Sequence, residues 1–410
     1  MIARKIRPEE LQRTEELFSI SFDSSYDNEA SPMELYQKYT ENPTSQEQEH
    51  CLERFAAFED DDATMMSCFI LQPFEIRFDG HNEPMAGVGG VATLPQYRRK
   101  GGIRACFQKA LPYLYEKGAV FSYLYPFSTA YYRKFGYELC SKRLFYTVAL
   151  AHIPAFEADG SCYLLEKSTE ASAMEDIPYI YRAWQEKYNT MVLDTPYDFN
   201  FIKNANPFKD QVFTYVYRSA KGEPLAYMTF QNKRMDEPRK IECSRFFYVN
   251  EEGLKGLLSL AKSFASDYRQ ICFNLPADSC LEHILPEWSM GAVSCQLCQE
   301  GMIRVINVQK ALEDAAYKGS SSCILKIEDA FIDENNRTFQ IVFEDGRCKE
   351  AALTDRTPDA VLSVSAFSAL LMGGYYPDDI EQFPGVQIND NIESLKKVFY
   401  KKPVYITSYF

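Results

Sequence analysis

One stretch of this acidic sequence concentrates positive charge: Tyr97-Arg98-Arg99-Lys100-Gly101-Gly102-Ile103-Arg104 places four cations between positions 98 and 104. Upstream, residues 84–93 read as a Gly-rich strand closed by Leu94-Pro95. Downstream, Ile103, Phe107, Ala110, Leu111 and Leu114 recur at i, i+4, i+7, i+8 and i+11, one face of an amphipathic helix. The cations therefore sit where a strand hands over to a helix. Glycine there permits close backbone approach, the first amide N–H groups of the helix lack internal acceptors, and the dipole favours an anion. A pyrophosphate suits such a turn. The spacing is neither G-x-x-x-x-G-K-[ST] nor G-x-G-x-x-G, and a solvated basic loop before an ordinary helix has the same composition.

Other chemistry-bearing groups are fewer. After a strand at 120–125, stopped by Pro126, comes an aromatic run, Phe127-Ser128-Thr129-Ala130-Tyr131-Tyr132-Arg133-Lys134-Phe135-Gly136-Tyr137. Phe135 and Tyr137 read as core. Tyr131 and Tyr132 are rivals, because adjacent helical positions point about 100° apart; the spacing to Phe135 favours Tyr132. Phe22 and Asp23, ending the first helix, are candidates for lining a substrate cleft. Cys295-x-x-Cys298 lacks a second pair, and His50, His81, His152 and His283 show no metal-ligand spacing, so no metal is expected. The tail Val404-Tyr405-Ile406-Thr407-Ser408-Tyr409-Phe410 closes on an apolar aromatic instead of a polar fray.

The elements that must position these groups fit a chain of 410 residues, which at about 100–200 residues per domain predicts two to four domains, most simply three. Apolar residues make up 46% and no run approaches the roughly 18–20 needed to cross a bilayer, so no membrane span is expected. The 12 cysteines, several inside apolar runs, read as reduced thiols of a cytoplasmic protein. A net charge of −14 gives nucleic-acid binding no support and would attract a small cation. Helix starts are expected at Pro8 and Pro32, with a hairpin at 54–78 turning on Asp60-Asp61-Asp62 and a mixed α/β order onward. A middle segment repeats the plan: a strand at 246–249, a helix with Leu254, Leu257, Leu258, Ala261, Ala265 and Tyr268 on one face, then a strand at 271–275 stopped by Pro276. It carries Asn250-Glu251-Glu252-Gly253 where the first copy has its basic loop. Such a copy would have lost whatever that loop binds. After about Ser320 the character changes to strands at 322–328, 337–344 and 360–364, with helices at 367–372 and 391–399.

The strand, basic loop, helix and strand over residues 84–140 resemble the acetyl-CoA core of the GNAT superfamily of N-acetyltransferases. There a [Q/R]-x-x-G-x-[G/A] turn grips the coenzyme pyrophosphate, and a later helix ends in a tyrosine followed by F-G-[Y/F]. Arg98-x-x-Gly101-x-Ile103 departs at its last position, where Ile replaces a small residue, in agreement with one subfamily. The whole chain resembles that subfamily, the enhanced intracellular survival (Eis) type. It does so through V-x-x-x-P-x-x-R-R-x-G at 91–101, the Tyr-x-x-Phe-Gly-Tyr run at 132–137 and the aromatic C-terminus.

The resemblance implies an α/β (α+β) architecture of tandem GNAT-like mixed-sheet domains followed by a sterol-carrier-like α+β domain. The implied division is a catalytic GNAT domain at 1–150, a degenerate GNAT-like domain at 151–300 and a sterol-carrier-like domain at 301–410. It further implies that Val91, Ala92 and Thr93 offer backbone groups to the pantetheine arm, and that Arg99, Lys100, Gly101, Gly102, Ile103 and Arg104 hold the phosphates. Phe127 and Ser128 would flank the thioester. Tyr132 falls on the general acid that protonates the departing thiolate, and the Phe410 carboxylate on the general base. The implied activity is acetyl transfer from acetyl-CoA, a co-substrate, to a primary amine by direct attack. The acceptor would be a small cationic amine such as an aminoglycoside or polyamine, or a lysine-containing substrate, and the enzyme a homo-oligomer, a hexamer in the family. Two other classes fit parts of the pattern: a non-catalytic acyl-CoA or lipid-binding protein, and an aminoacyl transferase with twin GNAT domains.

Overall fold

Leu11, Thr14, Leu17 and Phe18 follow helical spacing, and the helix Leu11–Ser21 buries all four. It begins after the expected start because Pro8–Glu10 forms a separate 3-10 turn. The Glu10 carboxylate holds that turn, accepting from the Arg7 N–H at 2.7 Å and from the Arg4 guanidinium at 2.7 and 2.8 Å. The computed structural model describes residues 1–22, 25–26, 29–157, 159–231, 239–374 and 377–410. Asp23 lies outside them. The chain packs as two units, one of Met1–Ser141, Glu300–Lys402 and Ile406–Phe410, the other of Lys142–Gln299 and Pro403–Tyr405.

In the first unit β1 (Ile2–Lys5), β2 (Arg54–Phe58), β3 (Met65–Phe78) and β4 (His81–Thr93) pair antiparallel in that order. Then β4 pairs in parallel with β5 (Phe121–Leu124), from Met85↔Phe121 to Val88↔Leu124. A crossover between parallel strands needs a covering element; here it is the helix Gly102–Glu116, whose Ile103, Phe107, Ala110, Leu111 and Leu114 are all buried as the spacing predicts. They form one cluster with Leu71, Ala86, Val88, Leu124 and Tyr132. On the other face Leu11, Leu17 and Phe18 pack with Leu35, Ile70 and Ala92. Each large side chain fully buried in this way stabilises by about 1.5–3 kcal/mol. Hydrogen bonds hold the Asp60-Asp61-Asp62 turn: Asp62 accepts from Arg4 at 2.8 Å and Arg7 at 2.9 Å, while Asp61 takes the amides of Ala63 and Thr64.

β6 (Glu138–Ala149) runs from the first unit into the second. There β7 (Ser161–Leu164), β8 (Val212–Arg218), β9 (Pro224–Gln231), β10 (Lys240–Tyr248) and β11 (Gln270–Pro276) lie in the order β6-β11-β10-β9-β8-β7. β10, the helix Glu251–Ser263 and the parallel β11 repeat the plan of β4, its helix and β5. The helix stops before Ala265 and Tyr268, because Phe264 and Ala265 donate three residues back, to Ala261 and Lys262, and tighten the last turn. Tyr268 is still buried. The 18-residue helix Glu170–Lys187, unread in the sequence, covers this sheet with Ile177, Ile180 and Trp184.

β12 (Val293–Val305) returns to the first unit and pairs antiparallel with β5 through residues 302–305. A second sheet follows: β13 (Ser321–Glu328), β14 (Thr338–Glu344), β15 (Arg347–Leu353), β16 (Ala360–Ser363) and β17 (Val386–Ile388), in the order β15-β14-β13-β16-β17. The helix Val364–Leu371, buried along most of its length, ends at Gly373 with φ of 81°. No helix among the described residues is long and apolar enough to cross a membrane.

Candidate active site

The basic loop folds as a cradle. Arg99 and Gly101 both adopt left-handed backbone, φ of 64° and 87°, which Gly101 tolerates at no steric cost and Arg99 does not. The helix Gly102–Glu116 starts with no side-chain cap, and its first i→i−4 bond runs from Ala105 N–H to Gly101 C=O at 3.0 Å. The amides of Gly102, Ile103 and Arg104 precede that bond and are available to an anion. Arg98, Arg99, Lys100 and Arg104 are all exposed, and none has an ion-pair partner among the described residues. Unpaired cations around an uncapped helix start, in a chain of net charge −14, are an arrangement that suits an anion.

Beyond Val88↔Leu124 the parallel strands part. β4 continues alongside β3 through Ala92↔Cys68 and Thr93↔Ser67, with a bulge where Gly90 turns to a φ of 58°. On the β5 side, Val91, Ala92 and Thr93 have no strand partner among the described residues. That free edge is what an extended amide-bearing arm could pair with. Phe127 stands 76% exposed, its ring 5.4 Å from Tyr131 and 5.5 Å from Tyr132. Ser128 opens the turn Thr129–Tyr132 through its carbonyl, leaving its hydroxyl unused by the cap.

Tyr132 is 3% exposed, and burial pushes its phenol well above the usual tyrosine range, so it stays protonated at neutral pH. Tyr131 is only half-buried and is raised less. Tyr137 and Phe135 are core, as expected; the Tyr137 hydroxyl is spent on Ser122 Oγ at 2.7 Å.

The tail runs inward. A Cβ on Gly87 would stand 2.5 Å from the Phe410 ring, and one on Gly89 would stand 3.0 Å from the Phe410 carbonyl carbon. Only glycine at 87 and 89 lets the tail lie so close to β4. The ring packs 4.9 Å from Phe74 and 5.5 Å from Tyr125, and its carboxylate has no hydrogen-bond or ion-pair partner among the described residues. Strand residues alternate faces, so Phe410 lies on the face of Gly87 and Gly89, while Tyr132 packs with Val88 and Leu124 on the other. The two lie on opposite faces of the sheet. No hydrogen bond joins them.

The second unit closes the equivalent positions with its own side chains. Asn250 caps the helix Glu251–Ser263, accepting from Gly253 N–H at 3.0 Å, and Glu251 and Glu252 occupy its first turn. Trp184 Nε1 donates to the Tyr248 carbonyl at the end of β10 at 2.7 Å, and its ring packs against Tyr188 and Tyr405. Titration calorimetry with acetyl-CoA is therefore expected to give one coenzyme per chain; a stoichiometry of two would contradict the closed second cleft.

Several groups escaped the sequence reading because their partners are remote. Tyr125 donates to the Ser408 carbonyl at 2.7 Å and Tyr409 to Glu300 Oε1 at 2.7 Å. Buried Lys402 pairs with Asp79. His81, Glu83 and Asp314, which carry no local metal spacing, bring ligand atoms within 4.8 Å of one another. Lys310 supplies a cation there, 2.7 Å from Asp314, while burial and contact with Asp314 push Glu83 up to about 7. Phe22 is half exposed at the end of its helix, with its ring 6.3 Å from Phe18.

Residues 3–140 match the acetyltransferase (GNAT) domain family and residues 308–407 the sterol carrier protein domain family. No curated protein sequence matches the chain. The fold is similar to a structure from Enterococcus faecalis described as a probable N-acyltransferase, with a TM-score of 0.83 and 20% identity over 100% of this chain and 99% of that one. It is similar to a GCN5-related N-acetyltransferase from Anabaena variabilis, with a TM-score of 0.81 and 17% identity over 100% of both chains. It is also similar to Eis1 from Mycobacterium abscessus, with a TM-score of 0.79 and 18% identity over 100% of both. At these identities the likeness carries the fold.

Proposed function

From a chain that carries a GNAT acetyltransferase domain and a sterol carrier protein domain, we propose an N-acetyltransferase that moves acetyl from acetyl-CoA to a primary amine by direct attack. The three-part division at 1–150, 151–300 and 301–410 goes with this reading. The basic loop would take the pyrophosphate on the free amides of Gly102, Ile103 and Arg104 and on Arg99, Lys100 and Arg104. The arm would run along the open edge at Val91, Ala92 and Thr93 toward Phe127 and Ser128, placing the thioester where β4 and β5 part. The observation that carries the amine chemistry is the unpaired Phe410 carboxylate at Gly89, across the sheet from a buried, protonated Tyr132.

An amine is cationic at neutral pH and must lose a proton to attack. Phe410 would accept that proton, directly or through one water, before the neutral amine attacks the thioester carbon, and the second N–H proton would leave as the adduct collapses, restoring the phenol that protonates the thiolate. The Phe410 ring beside Phe74 and Tyr125 would hold the carboxylate at Gly89 for that transfer. As the C–S bond breaks, Tyr132 would protonate the departing thiolate. The chain's net charge of −14 favours a cationic acceptor, an aminoglycoside, polyamine or lysine side chain.

The test is thiol release from acetyl-CoA against a panel of polyamines, aminoglycosides and lysine peptides. Amine-dependent release is expected for at least one class, and Tyr132→Phe should lower kcat by about 10²-fold or more. Release with none of them, despite coenzyme binding, would instead identify an acyl-CoA-binding protein.

A further inference from the structure

The tail from 406 to 410 makes more contacts than a chain end needs in order to fold. Tyr125 follows β5 directly, at the point where β5 leaves β4, and its hydroxyl donates to the Ser408 carbonyl at 2.7 Å. The same ring stacks on Tyr409 at 4.6 Å and 28°, and meets the Phe410 ring at 5.5 Å. The Tyr409 ring is 63% exposed, yet its hydroxyl is anchored to Glu300 Oε1 at 2.7 Å, on a residue that is itself 7% exposed. Glu300 is held in turn through its carbonyl, which accepts from the buried Tyr123 hydroxyl at 3.1 Å. Upstream, buried Lys402 ties the root of the tail to Asp79 in the β3–β4 turn.

We propose that Tyr125, Tyr409 and Glu300 form a positioning latch that sets the Phe410 carboxylate at Gly89, so that the base geometry depends on two tyrosine hydroxyls that touch no substrate. The inference rests on the reading of Phe410 as base. Its physical content is that a three-residue tail end has several rotatable bonds, and a base must stand within about 2.6–3.2 Å of the proton it takes. The bond at Ser408 fixes the main chain two residues before the carboxylate. The stacked, anchored Tyr409 prevents the last peptide from rotating. The coenzyme loop is untouched by any of these contacts.

Tyr409→Phe and Tyr125→Phe keep both rings and remove one hydroxyl each. Each should lower kcat about fivefold or more, the scale of one hydrogen bond, with the KM for acetyl-CoA unchanged. A bond that served the fold alone would not lower kcat while leaving that KM unchanged. The control is the same substitutions in a protein extended beyond Phe410 by Gly-Ser-Gly, where they should have no further effect. Wild-type kcat in both tyrosine variants, with the extended protein inactive, would overturn the latch and leave the base reading standing. Full activity of the extended protein would overturn the base reading itself. Equal losses in the native and extended proteins would assign the tyrosines another role and also overturn the latch. Thermal melts of Tyr409→Phe, altered at an exposed ring, guard against loss of fold.

Discussion

Extending the chain by Gly-Ser-Gly after Phe410 is expected to lower kcat by about 10²-fold or more, the usual scale of general base catalysis, while acetyl-CoA affinity and thermal unfolding stay nearly unchanged. The Phe410 carbonyl carbon lies 3.0 Å from where a Cβ on Gly89 would stand. An extension leaves the ring in its place beside Phe74 and Tyr125 but converts the carboxylate to a peptide carbonyl, which cannot take up a proton at neutral pH. Deleting Phe410 should give a similar loss, but it also empties the space over Gly87, so the extension is the cleaner comparison. Steady-state kinetics at saturating acetyl-CoA decide it. Full activity in the extended protein would remove Phe410 from the mechanism.

Arg99→Glu combined with Arg104→Glu should weaken acetyl-CoA binding, measured by calorimetry, by well over tenfold, since each lost charge-assisted bond costs about 1.5–3 kcal/mol and repulsion is added. Neither side chain has an ion pair to break and both are exposed, so the melting temperature should hardly change. Binding to the native protein should also weaken with salt, because the cations are at the surface where screening reaches them. Unchanged affinity would place the coenzyme elsewhere.

The amphipathic stripe of the helix Gly102–Glu116 was readable because every one of its partners lies along a single periodic face. The basic loop was readable for a related reason: charge density, glycines and a strand-to-helix junction are all local. The loss of that loop in the second copy showed in Glu251 and Glu252 alone, before Asn250 was seen to cap the helix. Periodicity overran at Ala265 and Tyr268, because the helix ends on short-range carbonyl bonds that no side-chain pattern encodes.

Local sequence thus determined the two sheet-and-helix units and the basic loop at a strand-to-helix junction, since propensity, periodicity and capping act within a few residues. Tertiary structure decided where the tail goes. That Phe410 rests on Gly87 and Gly89, that Tyr125 reaches Ser408 across 283 positions, and that Glu300 anchors Tyr409 across 109 all depend on segments far apart in sequence that only the folded chain brings together. Glycines in a strand read as weakness until the ring that fills their missing side chains is in place.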